Sequence, residues 1–393
     1  MRYDFQWIAD HAAEDVTRLR LRHGAERAAD ILQIECRRRF GGKLRRTLAA
    51  NPEFVFPTAL AGEQSTSEAL AAYHCSLLDE GERVADLTAG LGVDAMAMAL
   101  KANVVAVELE PLKVDALRQN ARSLPQLAAV CADCRQWLAE QSDKAFTTIF
   151  IDPARRALDG GRVYALSDCE PNVVEMLPQL RRACNRLIIK ASPMLDITHT
   201  LSLLPDAVRV IALGTTTECK ELVIECRFGA TVAEPTIEAV TLNADGEVVS
   251  QMQFLRSEEV SAEVECAEPH AGMWLYDPYP AVMKAAPMRL LGALYGVHKL
   301  APQSHLWLST DRVDAFPGHA YRVERVEQCS SRILKQLANQ RVRASITTTN
   351  FPMTADVLRA RLRAADGPAR LFASTDSCGE RVLIFTSPYT PTT

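Results

Sequence analysis

Residues 83–94, RVADLTAGLGVD, constrain this chain most: a short apolar run enters a glycine-punctuated turn and passes directly into a helical pattern. Val84, Ala85 and Leu87 suit a buried strand, Gly90 and Gly92 permit close backbone approach, and Asp94 is placed to cap a helix that carries Ala95 to Lys101. Such a turn aims backbone N–H groups at whatever lies above the strand end, so ligand chemistry is expected here.

The flanking rhythm sets the fold class. Apolar runs at 104–108, 128–133, 147–152 and 187–190 alternate with helical patterns at 111–123, 135–141 and 174–180. This predicts a parallel, doubly wound α/β sheet with its ligand at the carboxyl ends of the strands. Residues 208–213 and 221–228 read as a closing antiparallel hairpin, which completes a seven-stranded mixed sheet.

Apolar spacing over 10–50, broken by Gly24 and by Gly41 with Gly42, predicts a small N-terminal helical domain. Residues 51–57 read as a linker, and the hydroxyls of 65–67 as helix caps. Beyond 218 the pattern becomes alternating and acidic, with an Asn-Ala-Asp-Gly turn at 243–246, as in a hairpin. Tyr276 and Tyr279 fall in a proline-held loop that reads as a rigid join. The C-terminal piece reads strand, helix, strand, helix, strand, strand.

Composition narrows the function. Apolar residues make up 48% and charged residues 24% of 393, and no apolar run is long enough to cross a bilayer. The N-terminal residues lack a signal-peptide pattern, and eleven cysteines fit reduced thiols, so a cytoplasmic protein is expected. The net charge of -5 divides into +4 over 1–50, +5 over 312–393 and -14 between them. Six of the eleven residues in 36–46 are basic, including Arg37, Arg38 and Arg39. They are candidates for phosphate contacts, with a solvated helix face as the alternative.

The turn spells G-x-G-x-x-A at Gly90, Gly92 and Ala95, which raises a dinucleotide site. The neighbouring acids argue against it. Asp86, Asp94, Glu108, Glu110, Asp133 and Asp152 all fall at or just beyond strand ends, where they would repel a pyrophosphate and stabilise an ammonium and a sulfonium. S-adenosylmethionine carries both. On this reading Asp86 meets its ammonium, the Gly90–Gly92 backbone its amino-acid end, Glu108 its ribose and Asp133 its adenine amine. Lys190 is expected to pair with Asp152. Cys131 and Cys134 have no further ligand pair nearby and the histidines are dispersed, so no metal is assigned.

In order and spacing, DLTAGLGVD, VVAVELEP, ADC and TIFIDPARR resemble motifs I to IV of class I S-adenosylmethionine-dependent methyltransferases. DPARR combined with NFPMTADVLRARL resembles the bacterial THUMP-like class I methyltransferases. The resemblance implies a Rossmann-like seven-stranded core at 76–230 after an N-terminal helical domain at 1–75. A ferredoxin-like domain at 231–318 and a THUMP-like domain at 319–393 would follow. It also implies an RNA substrate, cofactor contacts from Asp86, Thr88, Gly90, Gly92, Asp94, Glu108, Asp133 and Asp152, and methyl transfer beside Asp152 and Pro153. Enzymes that methylate exocyclic amines place an aromatic residue in this last motif; here Ala154 and Arg155 follow Pro153. Arg155, Arg156 and Lys190 are therefore read as substrate contacts. A non-catalytic RNA-binding protein and a small-molecule or protein methyltransferase remain the alternatives.

Overall fold

The computed structural model describes residues 3–155 and 165–388. They fall into two compact units, one of 1–210, 221–235 and 242–248, the other of 211–220, 236–241 and 249–393. The first opens with helices α1 (Phe5–Asp10), α2 (Val16–His23), α3 (Ala28–Phe40), α4 (Arg45–Ala50), α5 (Ala59–Gln64) and α6 (Glu68–Ser76). Residues 51–57 are no linker, since Phe54, Val55 and Phe56 are buried. Buried amides bond their backbone in place of a sheet partner. Gln33 exchanges two hydrogen bonds with Phe56, and Asn120 two with Val55. The N-terminal helices thereby share a core with the sheet region, in which Phe40, Phe54 and Phe56 pack with Leu91, Val93 and Ala116.

The sheet region runs β1 (Arg83–Asp86), α7 (Val93–Met98), β2 (Asn103–Glu108), α8 (Pro111–Asn120), β3 (Leu127–Cys131), α9 (Cys134–Ala139) and β4 (Phe146–Ile151). The short strands β5 (Ala154–Arg155) and β6 (Cys169–Glu170) pair as a separate ribbon. Then come α10 (Val173–Ala183), β7 (Cys184–Ala191), α11 (Ile197–Ser202), β8 (Ala207–Thr215), β9 (Cys219–Arg227), β10 (Thr236–Leu242) and β11 (Val248–Leu255). The strand order is β11-β10-β8-β9-β7-β4-β1-β2-β3. Strands β1 to β4 and β7 pair in parallel, and β9 runs antiparallel to β7. The sheet thus has nine strands rather than seven, because the hairpin at 236–255 continues it. Helices on both faces account for the unbroken apolar runs of the central strands, where Val84, Ala85, Ile149, Phe150, Leu187 and Ile188 are all buried.

The second unit adds α12 (Arg256–Ser261), β12 (Trp274–Pro278), α13 (Pro280–Ala285), α14 (Leu290–Tyr295), β13 (His298–Lys299), β14 (Trp307–Ser309) and β15 (Gly318–Gln328). It continues with α15 (Ser331–Gln340), β16 (Arg343–Thr348), α16 (Ala355–Leu362), β17 (Ala365–Thr375) and β18 (Arg381–Pro388). Its sheet order is β13-β14-β12-β15-β18-β17-β16. Tyr276 lies in a strand rather than a loop: it is fully buried, and its hydroxyl accepts a hydrogen bond from the Val313 N–H at 2.7 Å. Leu337, Leu358 and Leu362 pack α15 and α16 onto Leu371 and Leu383, which leaves Arg332, Lys335, Arg361 and Arg363 exposed.

Candidate active site

The organising turn follows β1 as expected, with a different cap. Gly92, at φ +83°, occupies the N-cap of α7, and Asp94 lies one residue inside the helix with its carboxylate turned to other partners. A β-carbon on Gly92 would lie 2.0 Å from Leu117 Cδ1, so a larger residue would have to displace that side chain as well as adopt a left-handed φ. Gly90, at φ +56°, faces open space, the nearest atom to such a carbon being 4.0 Å away. Backbone can be approached closely there.

Adjacent strand ends bring the predicted residues together. The Asp152 N–H donates to Thr88 Oγ1 at 2.7 Å, tying the end of β4 to the turn after β1. Glu108, at the end of β2, accepts from the Gly90 N–H at 2.8 Å and the Glu110 N–H at 2.9 Å. Asp86 is buried and accepts from the Thr88 N–H at 3.1 Å. Desolvation, and then the Asp94 charge, hold its carboxyl well above the ordinary range. Asp133 stands further out, capping α9 and pairing with Arg135 at 3.0 Å. Hydrogen bonding to that guanidinium lowers its pKa.

Lys190 joins this group from β7. Its ammonium donates to Asp152 Oδ2 at 2.5 Å and to Thr66 Oγ1 at 3.0 Å. Burial opposes its charge, but Asp152, Asp94 and Glu221 overrule burial and hold its pKa above the ordinary lysine value. Lys190 is therefore an ion-paired cation and not a base. The Asp152 side chain remains 39% exposed, so its carboxylate keeps an open edge.

Sequence reasoning missed the rest of this network. Thr66 does not cap α6, a role taken by Ser67; its hydroxyl donates to Asp94 Oδ2. His74, fully enclosed in α6, places Nδ1 2.7 Å from Asp94 Oδ1 and Nε2 2.6 Å from Glu221 Oε1 on β9. Both ring nitrogens face carboxylates, so both must donate and the ring is an imidazolium. Desolvation would lower its pKa, yet Glu221 and Asp94 raise it to about 10. Asp94, which burial would raise, is held at about 2 by His74. No local pattern marks His74 or Glu221. Leu109, next to Glu108, is 63% exposed.

The predicted substrate arginines behave differently. Arg37 donates to the carbonyls of Pro52 and Phe54 at 2.7 Å, Arg38 to those of Ala12 and Glu14, and Arg39 pairs with Glu63 at 2.7 Å. The donors of Arg37 and Arg38 hold the chain's own backbone, which removes those two as phosphate contacts, whereas Arg39 pairs with a helix side chain, Glu63, and both of these side chains remain over half exposed. Arg155 pairs its backbone with Cys169, and Arg156 lies outside the described residues.

Comparison with known proteins agrees with the sequence motifs. Residues 274–317 match a ferredoxin-like domain family and residues 318–388 a THUMP domain-like family. An uncharacterized S-adenosylmethionine-dependent methyltransferase of Mycobacterium tuberculosis is 29% identical over 339 residues, covering 83% of this chain and 86% of the relative. The crystal structure of a provisionally assigned methyltransferase from Porphyromonas gingivalis W83 superposes with a TM-score of 0.88 at 29% identity, covering 98% and 97% of the two chains. The chain resembles the THUMP-like class I methyltransferases. Ribosomal RNA small subunit methyltransferase J of Alkalilimnicola ehrlichii is 51% identical over 67 residues, 15% of this chain and 25% of that relative.

The methyltransferase uses S-adenosylmethionine. Its site fits that cofactor: Gly90 leaves space for close backbone approach and Glu108 presents a carboxylate at the end of β2. Among the described residues no helix is long and apolar enough to cross a membrane.

Proposed function

We propose that this methyltransferase modifies RNA, and that Asp86, Thr88, Gly90, Glu108 and Asp133 hold the cofactor while Asp152 and Pro153 border the methyl acceptor. The observation that carries the RNA reading is the THUMP-like match over 318–388, a stretch with eleven Arg or Lys against six Asp or Glu. Exposed Arg332, Lys335, Arg361 and Arg363 of this stretch suit a phosphate backbone. The partial relative that acts on ribosomal RNA is consistent with such a substrate. All eleven cysteines are free, in keeping with a cytoplasmic setting.

When bound, the cofactor supplies an already activated sulfonium methyl group, so positioning is the protein's main contribution. Glu108 would accept from ribose hydroxyls, and Leu109 would give an apolar face to the adenine. Lys190 holds one oxygen of Asp152, and the open carboxylate edge accepts a hydrogen bond from the nucleophile. No aromatic residue stands next to Pro153, so base stacking must come from elsewhere in the chain.

The test incubates the purified chain and radiolabelled S-adenosylmethionine with total bacterial RNA, a small-molecule pool and a protein lysate. Label in RNA, with transfer falling steeply between 50 and 200 mM salt as about six or more phosphate contacts require, supports the reading. Label confined to protein or small molecules overturns it.

A further inference from the structure

The first sheet ends on β11, a strand of eight residues that has β10 on one side only. An edge strand carries a row of unpaired backbone N–H and C=O groups, and proteins guard such edges with lysine, proline, a short length or a covering side chain. The opposite edge is guarded in this way: β3 has five residues, and its Ala129 carbonyl accepts from Arg118 at 3.1 Å. In the second sheet the edge strand β13 has two residues, and the other edge strand, β16, begins with Arg343. Strand β11, VVSQMQFL, contains no charge and no proline. Among the described residues no side chain bonds to its backbone before Leu255, whose N–H donates to Glu258 at 2.7 Å. Met252 and Phe254 are buried, while Val249, Gln251 and Gln253 are exposed on the other face, Val249 by 48%.

We propose that β11 pairs antiparallel with β11 of a second copy of this chain, so that the first sheet continues across a two-fold axis. A two-fold interface must be complementary to itself, and this strand is. Residues directly opposite one another share a face of the sheet, so an axis at Gln251 sets Gln251 against its counterpart and Val249 against Gln253. A glutamine amide is both donor and acceptor, and two facing Gln251 side chains therefore bond with no charge to repel them. The flanks are complementary in charge. Exposed Glu247 precedes the strand and exposed Arg256 follows it. Antiparallel alignment brings Glu247 of one copy to the end at which Arg256 of the other stands, once at each end, and such pairs fix register and orientation. A second copy supplies every one of these matches by symmetry.

Light scattering on the full chain over a concentration series tests the pairing. Wild type should pass from one to two chains per particle as concentration rises. Gln251→Lys and Gln251→Glu each set like charges opposite one another across the axis, and each should raise the dissociation constant by about fivefold or more. An equimolar mixture of the two variants should associate more tightly than either alone, because opposite charges then face each other. Gln251 is exposed, so both variants should keep a cooperative melt. A wild type that stays a single chain up to millimolar concentration overturns the proposal, and so does association of equal strength whatever charge stands at 251. Hydrogen exchange on wild type gives the same answer without a variant: the amides of 248–254 should gain protection as concentration rises, and protection that does not change with concentration overturns the pairing.

Discussion

His74 Nε2 lies 2.6 Å from Glu221 Oε1 across 147 positions of chain, and its other nitrogen is 2.7 Å from Asp94. One imidazolium thus joins an N-terminal helix, the helix after the glycine turn and a late antiparallel strand. Removing it takes the cation away from two buried carboxylates. His74→Leu should destabilise the protein by about 3 kcal/mol or more, seen as a lowered denaturation midpoint with an unchanged m-value. A midpoint within error of wild type would show that the ring carries no charge.

The same ring makes stability depend on pH. Its pKa rises from 6.5 to about 10 on folding, so the stabilisation is complete below 6.5 and is lost as pH rises through 10. Between those values the folded state holds a proton that the unfolded state lacks. Unfolding free energy from this group should fall by about 1.4 kcal/mol per pH unit. Urea titrations at pH 7, 8 and 9 should show a steeper decline for wild type than for His74→Gln; parallel curves would contradict the assignment.

The two turn glycines should separate folding from binding. Gly92→Ala meets Leu117 and a φ of +83°, and should cost about 2 kcal/mol or more. Gly90→Ala has room in the fold and should cost about 1 kcal/mol for its φ of +56°, while lowering cofactor affinity out of proportion to that cost. Melting curves and calorimetry on both variants check this. Equal stability losses, or intact cofactor binding by Gly90→Ala, would count against the proposed approach to the Gly90 backbone.

Asp152→Ala should retain cofactor binding and abolish methyl transfer, because it removes the open carboxylate edge that Lys190 keeps in place. Binding within about twofold of wild type and a transfer rate lower by about a hundredfold or more are expected for loss of a positioned acceptor. Normal transfer would remove Asp152 from the site.

Arg361 and Arg363 are exposed, whereas Arg37 is bound to two backbone carbonyls. Reversing the first two to Glu should weaken RNA retention and reduce the slope of its salt dependence by about two, without affecting cofactor binding. Arg37→Ala should instead lower stability by about 1–2 kcal/mol and leave RNA affinity unchanged. Filter binding at several salt concentrations distinguishes the two; the opposite pattern would return the phosphate contacts to the N-terminal cluster.

Much of this protein was legible in the sequence because local chemistry writes the relevant patterns. A buried parallel strand needs an apolar run, a tight turn beneath a ligand needs glycine, and an acid at a strand end is visible as such. Residues 83–94, Glu108 and Asp152 announce themselves in this way, as does the alternation of strands and helices on either side. The tertiary structure decided the partners. Arg37 and Arg38 look like a nucleic-acid contact until the backbone carbonyls they hold are in place, and residues 51–57 look like a linker until Asn120 and Gln33 close on them. Tyr276 became core because β12 has strands on both sides, and the hairpin at 236–255 lengthened the first sheet. His74 and Glu221 carry no local signal, since a buried charge is defined by what surrounds it. Desolvation makes an unpaired charge costly, so such residues persist only where distant parts of the chain supply their counterions.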